Sequence, residues 1–154
     1  MKRVLPALLL TAAVACADTA GPSPSPLYPG YFLQSVDGRF LPMPVGTDGA
    51  MLVASSLWFG DGSRPRAGNT VDGTVRHMQE VQRPGQPPER SDIDLNYQIQ
   101  GDELRIDLCP PLALCIVETE LIGTVEGRTA PLVLTHYLGG QPGSVFRFFP
   151  ALPD

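Results

Sequence analysis

The chain has 154 residues, of which 11 are lysine or arginine and 16 are aspartate or glutamate, so its formal net charge at pH 7 is −5. This acidic balance, without a basic stripe, argues against nucleic acid as a partner, because contacts to phosphate dominate that kind of affinity. It also argues against a polybasic membrane-binding patch.

The N-terminus has the three regions of a secretory signal in order. Two basic residues follow the initial Met1, the apolar block 4–14 comes next, and Ala15 completes a small-residue cleavage site directly before Cys16. The apolar block is too short to cross a bilayer, which needs roughly 20 residues. We therefore predict that residues 1–15 are an export signal of the lipoprotein type.

Cys16 is the predicted site of lipidation. The tetrapeptide "AVAC" is an Ala-x-Ala site and also resembles the bacterial lipobox, and both interpretations place the cut before Cys16. Lipid on Cys16 would leave Cys109 and Cys115 to pair, whereas a bare Cys16 would leave an odd thiol in an oxidising compartment. We expect attachment to a membrane through this lipid, at the outer membrane or facing the periplasm. A soluble secreted protein is the alternative.

Residues 16–30 are predicted to form a tether, because they are rich in proline and serine and cannot build a core. Residues 31–154 are long enough for one domain with one core. Removal of the signal leaves nine arginines against 16 acidic residues, a net charge of −7.

In the body of the chain, short segments with strand patterns alternate with turn signals. Asp37-Gly38 separates two apolar segments and predicts an opening hairpin. Further strands are predicted, in chain order, in "GAMLVASSLWF", "TVDGTVRHMQEVQ", "DIDLNYQIQ", "ELRIDL", the two segments around Glu126-Gly127, and "SVFRFFP".

The central hairpin, residues 92–109, has the clearest pattern, since apolar and polar residues alternate with the period of a half-buried strand. Gly101-Asp102 suits a two-residue loop. With that loop, the apolar residues from Ile93 onward lie on one face of the hairpin. Across it, Leu95 pairs with Leu108, Tyr97 with Ile106, and Ile99 with Leu104. A slip of one residue would turn them to solvent, so pattern and turn predict one register.

These signals predict an all-β fold of about eight antiparallel strands in an up-and-down meander. Closing such a meander into a small barrel removes its exposed edges. A β-sandwich is the alternative fold. An eight-stranded barrel has an interior that side chains fill or that holds one small ligand.

The segments "AVAC", "YFLQSVDGRFLP", "YQIQGDELRI", "GTVEGRTAPLVLTH" and "VFRF" resemble small bacterial envelope lipoproteins of lipocalin-like β-barrel fold, over most of residues 13–149. Such lipoproteins include inhibitors of lysozyme. The resemblance therefore implies one candidate function, inhibition of an envelope-attacking enzyme such as lysozyme. In that case the loop at 60–69 or 83–91 would be inserted into the target's cleft.

Cys109 and Cys115 enclose "PPLAL", and in an exported domain we expect a disulfide between them. His77 and His136, the only histidines, are expected to be partly buried and hydrogen-bonded. The chain has no nucleophile elbow, zinc-protease helix or phosphate-binding glycine loop. We therefore predict no catalytic residue, no metal site and no cofactor.

Four aromatic residues are candidates for a ligand pocket, because all lie on predicted strands: Trp58, Tyr97, Phe146 and Phe148. They form part of the core, or they line an apolar pocket where the barrel is not filled. The sequence thus favours a non-catalytic binding or interaction module of the cell envelope, whose partner is an envelope protein or a small apolar ligand. A carrier of such a ligand is the alternative in the same class.

Overall fold

The computed structural model describes residues 27–60, 64–66 and 70–152, and every regular element in these ranges is a β-strand. The strands are β1 (Gly30–Val36), β2 (Arg39–Phe40), β3 (Met43–Val45), β4 (Ala50–Phe59), β5 (Arg64–Arg66), β6 (Thr70–Gln82), β7 (Glu89–Gln100), β8 (Glu103–Asp107), β9 (Thr119–Thr124), β10 (Leu132–Leu138) and β11 (Gln141–Pro150). The described ranges contain no helix long and apolar enough to cross a membrane. The predicted signal, Cys16 and most of the predicted tether lie outside them.

Eight of these strands form a closed antiparallel barrel. Around the ring the order is β1, β4, β6, β7, β8, β9, β10 and β11, and β11 pairs with β1 to close it. Ring neighbours follow one another along the chain, so the barrel has the predicted up-and-down topology. The all-β barrel prediction is confirmed, and β2, β3 and β5 are additional strands paired with β1, β4 and β6.

Two-residue turns set the register of the hairpins. Val36 pairs with Arg39, and the φ angles of Asp37 and Gly38 between them are 50° and 77°. Two positive φ angles define the type I′ turn, whose twist matches that of the adjoining strands. The central hairpin also has the predicted register, since the Ile99–Leu104 and Tyr97–Ile106 pairs are both present across the Gly101-Asp102 loop.

The hairpin of β6 and β7 extends beyond its neighbour β8. These two strands pair from Thr70–Gln100 to Val81–Glu89, whereas β8 reaches only as far as Asn96 of β7. The third predicted pair, Leu95 with Leu108, lies past the end of β8. For the same reason Ile93, which was predicted on the apolar face, is 40% exposed.

The seam between β1 and β4 is short. These strands pair only where Gly30, Tyr31 and Phe32 meet Trp58, Leu57 and Ser56. Beyond that point the strands diverge, β2 pairs with β1, and β3 pairs with β4, so the segment 39–45 occupies the gap. A bulge between Leu52 and Ala54 interrupts the pairing of β4 with β6 in the same region.

Side chains from all eight barrel strands meet in one interior cluster. Each strand contributes at least one buried apolar side chain, and together these are Tyr31, Leu57, Val75, Leu95, Ile99, Leu104, Ile106, Leu121, Leu132, Leu134 and Phe148. Burial of each of these side chains contributes about 1.5–3 kcal/mol, which is the main source of the barrel's stability.

The chain enters the barrel at one end, which we call the proximal end. Leu27 is 1% exposed and belongs to the interior cluster, and the Phe59 amide donates to the Pro29 carbonyl at 2.7 Å. The packed domain therefore extends back to Leu27, earlier than the boundary predicted at residue 31. The C-terminal side of β11 lies at the same end, where the Ala151 amide donates to the Gly30 carbonyl at 2.8 Å.

Candidate functional site

The opposite, distal end of the barrel carries a loop closed by a disulfide. Cys109 and Cys115 are bonded with their Cα atoms 6.0 Å apart, within the usual range, so the predicted pairing is confirmed. The loop connects β8 to β9, and we call residues 108–118 the disulfide loop. Its base is held at both sides, since the Leu108 amide donates to the Thr119 carbonyl and the Gly139 amide to the Glu118 carbonyl.

Between the two cysteines of the disulfide loop, the backbone makes a tight turn at Pro110, Pro111, Leu112 and Ala113. The Ala113 amide donates to the Pro110 carbonyl at 3.0 Å, and the φ of Leu112 is 72°. A turn with positive φ at its third residue is normally occupied by glycine there, because a side chain crowds the backbone. Leu112 thus occupies a conformation that is unfavourable for a leucine.

The loop exposes aliphatic side chains that make few contacts with the other described residues. Leu112, Leu114 and Ile116 are 105%, 100% and 100% exposed, and Val117 is about half exposed. The neighbouring turn adds Leu138, which is also more than half exposed. Isolated exposed apolar residues are common on proteins, whereas several on one loop make that loop a candidate interaction surface.

The charged side chains at the base of the disulfide loop are acidic. No lysine or arginine occurs between Arg105 and Arg128. Asp107 and Glu118 are exposed at the base of the loop, and the Asp107 carboxylate also accepts a hydrogen bond from the Cys109 amide at 2.8 Å. Arg105, the cation that precedes the loop, forms ion pairs with Glu103 and Glu120. The base of the loop therefore carries two exposed acidic side chains, Asp107 and Glu118.

A second apolar surface lies on the outer wall of the barrel near the β1–β4 seam. Phe32, Trp58 and Phe149 are 51%, 38% and 37% exposed there. The Phe32 and Trp58 rings meet edge to face at 5.9 Å, and the Trp58 indole N–H donates to the Ser56 hydroxyl at 3.1 Å. Beside them is a groove of about 280 Å³, lined by Phe32, Ala54, Ser55, Ser56, Met78, Gln79, Glu80 and Arg90.

The four aromatic residues predicted as a ligand pocket do not all come together. Tyr97 and Phe148 are buried in the interior cluster, and Phe146 packs against it. Trp58 lies on the outer wall instead, because it neighbours the buried Leu57 and Phe59 on β4 and so points the opposite way.

The two histidines are partly buried and hydrogen-bonded, as predicted. His77 Nε2 lies 3.0 Å from the Ser55 hydroxyl, and His136 Nε2 lies 2.9 Å from the Thr119 hydroxyl. Burial lowers the pKa of His77, because the charged imidazolium loses solvation. Within the described ranges, no three histidine, cysteine or acidic side chains are grouped so that they could hold a metal ion.

The loops at 60–69 and 83–91 are the ones predicted to insert into a target enzyme. The loop at 60–69 lies mostly outside the described residues. The loop at 83–91 is fixed at its base, where Arg83 forms an ion pair with Glu89 and lies 3.9 Å from the Asp48 carboxylate. Cys16, the predicted lipidation site, is also outside the described residues.

Comparisons with protein-family models, with curated proteins and with solved structures found no match.

The residues missed by the sequence reasoning are Leu112, Leu114 and Ile116. The sequence pattern places Leu112 and Leu114 in the spacer of a disulfide and Ile116 in the strand predicted before Glu126-Gly127, whereas β9 begins only at Thr119. A signal was nevertheless present, since five of the seven residues from Leu112 to Glu118 are aliphatic or alanine and none is a glycine, asparagine or serine of the kind that usually forms surface loops.

Proposed function

We propose that this protein is an exported, lipid-anchored β-barrel of the bacterial cell envelope that acts as a non-catalytic binding module and contacts its partner through the disulfide loop. Export and anchoring rest on the signal pattern of residues 1–15 and on Cys16. The barrel fold is compatible with a binding role.

One observation carries the binding role: three fully exposed aliphatic side chains stand on a loop that a disulfide holds in shape. Exposure of such a group to water is unfavourable by about 25 cal/mol for each Å² of apolar area. The fold has an interior in which other aliphatic residues are buried, yet Leu112, Leu114 and Ile116 are kept outside it. A partner that covers them would recover that free energy.

A carrier of a small apolar ligand, the alternative in the same class, receives less support. Such a carrier needs open space among the inward-facing side chains. Here buried side chains from every barrel strand pack in one cluster, and Tyr97 and Phe148 are among them. The groove of about 280 Å³ is on the outer wall, and polar and charged residues form part of its lining.

Inhibition of an envelope-attacking enzyme is a second candidate, and the shape of the disulfide loop favours it. A protruding loop fixed by a covalent bond enters a cleft with little loss of conformational freedom. The inserting element would then be residues 109–115 rather than the loops at 60–69 or 83–91. Loss of lysozyme activity on adding the wild-type protein, and its retention with Leu112→Gly, would be the expected result.

Anchoring is tested by the mass and the location of the protein in its native cells. We expect the protein purified from membranes to exceed the mass of residues 16–154 by acyl chains, and to gain two daltons on reduction of one disulfide. Cys16→Ser should move it to the soluble fraction. Equal membrane association of the variant and the wild type would refute the anchor.

Binding is tested with a photoreactive amino acid in place of Leu114, introduced into the full chain in its native membrane. A discrete cross-linked species is expected there. The matched control is Gln98, which is exposed on the wall of β7 and faces away from the interior. Equal cross-linking yields at positions 114 and 98 would mean that the loop is not a preferred contact.

A further inference from the structure

We infer that the disulfide loop is a preformed, rigid loop that inserts into a pocket of one kind of partner protein. The pocket is apolar and admits Leu112 and neighbouring aliphatic side chains. Its border carries arginine or lysine side chains that face Asp107 and Glu118. This inference rests on the proposed binding function and names its partner by chemistry. It draws on the strain at Leu112, on the rigidity of the loop and on the charges around it.

The backbone conformation and exposure of Leu112 together indicate that its side chain makes a contact outside this chain. Its positive φ is a conformation that glycine adopts freely and leucine does not. A strained residue usually gains something from its own fold, such as a buried side chain, but Leu112 is fully exposed. Glycine would suit the isolated protein better at this position, so the leucine side chain has its use where a partner covers it.

The loop is prepared for insertion. The ring from Cys109 to Cys115 is closed covalently, Pro110 and Pro111 fix two φ angles, and the Ala113 amide bonds the Pro110 carbonyl. Each of these features removes freedom that binding would otherwise have to remove. A preformed loop of this kind suits a pocket of fixed shape better than a fluid surface.

The charge pattern favours a protein partner over a lipid bilayer. Segments that bind a membrane surface combine apolar side chains such as leucine with lysine or arginine, and often with tryptophan or tyrosine. The segment 106–127 has the leucines but none of these other four residue types. The base of the loop carries Asp107 and Glu118 instead, which an anionic headgroup layer would repel. Cationic side chains around an apolar pocket match this pattern.

The same charges disfavour a second copy of this chain as the partner. In a symmetric dimer built on the loops, Asp107 and Glu118 of one copy would lie close to the same residues of the other. Like charges facing each other in that way oppose association, and the chain from residue 16 onward carries a net charge of −7. The occupant is thus a different protein.

The decisive variant is Leu112→Gly in the full, lipid-anchored chain that carries the photoreactive residue at position 114. We expect the thermal midpoint to stay equal or rise, because the strain is relieved, while the cross-linking yield falls about tenfold, as when a buried leucine contact is lost. The matched control is Val133→Thr, at an exposed position on the outer wall of β10 near the proximal end, which should change neither quantity. An unchanged yield with Leu112→Gly would overturn the inference.

The cationic rim is tested by charge removal and by salt. Glu118→Gln should lower the cross-linking yield severalfold and reduce its dependence on ionic strength between about 0.05 M and about 0.5 M, a range over which screening becomes strong. Glu126→Gln, at an exposed position in the proximal β9–β10 loop, is the control and should leave both unchanged. A yield that is independent of both salt and Glu118 would contradict the basic rim.

Lipid and self-association are the remaining outcomes. Cys16→Ser protein is mixed with vesicles of phosphatidylethanolamine and phosphatidylglycerol, and we expect no flotation with them; flotation that Leu112→Gly abolishes would assign the loop to the bilayer and overturn the inference. A cross-linked homodimer would also overturn it. Cross-linking from position 32 on the outer wall but none from position 114 would support a binding role and refute the disulfide loop as its contact. Cross-linking from neither position would refute both the binding role and the loop inference.

Discussion

Gly123 lies where β9 and β10 approach too closely for a side chain. It faces the interior between Leu104 of β8 and Leu134 of β10. A Cβ at this position would collide with the Val133 carbonyl oxygen and would lie 2.7 Å from Leu134 Cδ2.

We predict that Gly123→Ala lowers the free energy of unfolding by about 1–3 kcal/mol, the usual cost of overpacking. Urea denaturation measures the change. Gly60→Ala is the matched control, since its Cβ would meet only ordinary contacts of 3.6 Å and 3.7 Å to Thr74. Equal effects of the two substitutions would show that the β9–β10 contact is looser than described.

His77 is expected to make stability depend on pH. Burial places its folded-state pKa below the ordinary 6.5, so in the interval between the two pKa values the unfolded chain binds more protons. Stability therefore rises with pH through that interval, is complete above about pH 6.5, and is lost as the pH falls toward the folded-state pKa. One proton contributes at most about 1.4 kcal/mol per pH unit.

His77→Gln keeps a polar group opposite Ser55 and removes this titration. We expect the wild type to lose more stability than this variant when denaturation is followed from about pH 7.5 to about pH 5.5. Parallel stability curves for the two proteins would mean that His77 is already solvated in the folded state.

At the scale of single residues, alternation predicted burial well only where one face of a strand is polar. Leu95, Tyr97 and Ile99 are buried as expected because polar residues separate them. Trp58 belongs to the nearly continuous apolar run of β4, in which alternation gives no direction. The bulge between Leu52 and Ala54 also shifts the inward-facing set from even to odd positions, and no sequence pattern marked it.

At the scale of elements, the hairpins with strong turn residues were predictable. Asp37-Gly38 and Gly101-Asp102 form turns with positive φ, and their strands pair as the sequence indicated. A third such turn, Gly139-Gly140, connects β10 to β11 but was not singled out. The two glycines were a sufficient signal, since a pair with positive φ is what a type I′ turn requires.

The disulfide loop should behave as an element separate from the barrel. Leu112, Leu114 and Ile116 do not pack on it, so reduction loosens the loop in the folded state as well as in the unfolded state. We therefore expect the Cys109→Ser, Cys115→Ser double variant to lose less than the roughly 2–2.5 kcal/mol that loop entropy gives for so small a ring.

Limited proteolysis with thermolysin, which cleaves before bulky apolar residues, checks this separation. The reduced or double-variant protein should be cut inside residues 109–117 while the barrel stays folded, and the oxidised protein should resist. The experiment uses the Cys16→Ser background, so that only two thiols are present. Cooperative unfolding of the whole barrel on reduction would contradict the expectation.

At the scale of the whole molecule, barrel closure was predicted from the need to remove sheet edges, but the details of the seam were not. Closure joins β1 to β11 and to β4, and the first of these pairings links residues more than 100 positions apart. The pairing of β1 with β4 depends locally on Gly30. The Trp58 ring lies over this glycine, and a Cβ there would come within 2.7 Å of the indole. A single sequence contains no direct signal for such distant contacts.

The unequal lengths of the strand pairs predict where the barrel opens first. β6 and β7 pair along their whole length, whereas β1 and β4 pair only from Gly30–Trp58 to Phe32–Ser56. In native-state hydrogen exchange, we expect the amides of the β6–β7 ladder to be among the slowest and those of the β1–β4 seam to exchange earlier, by local opening. Exchange of both sets at one rate would indicate that the barrel opens only by global unfolding.

Trp58 has a consequence for the optical properties of the molecule. It is the only tryptophan in the chain, and it lies on the outer side of the short seam, against Phe32 and Gly30. The intrinsic fluorescence of the protein therefore reports from the place where the ring of strands is held together least. A red shift of its emission would signal parting of the seam, and quenching by dissolved acrylamide would follow that event in real time without any added dye.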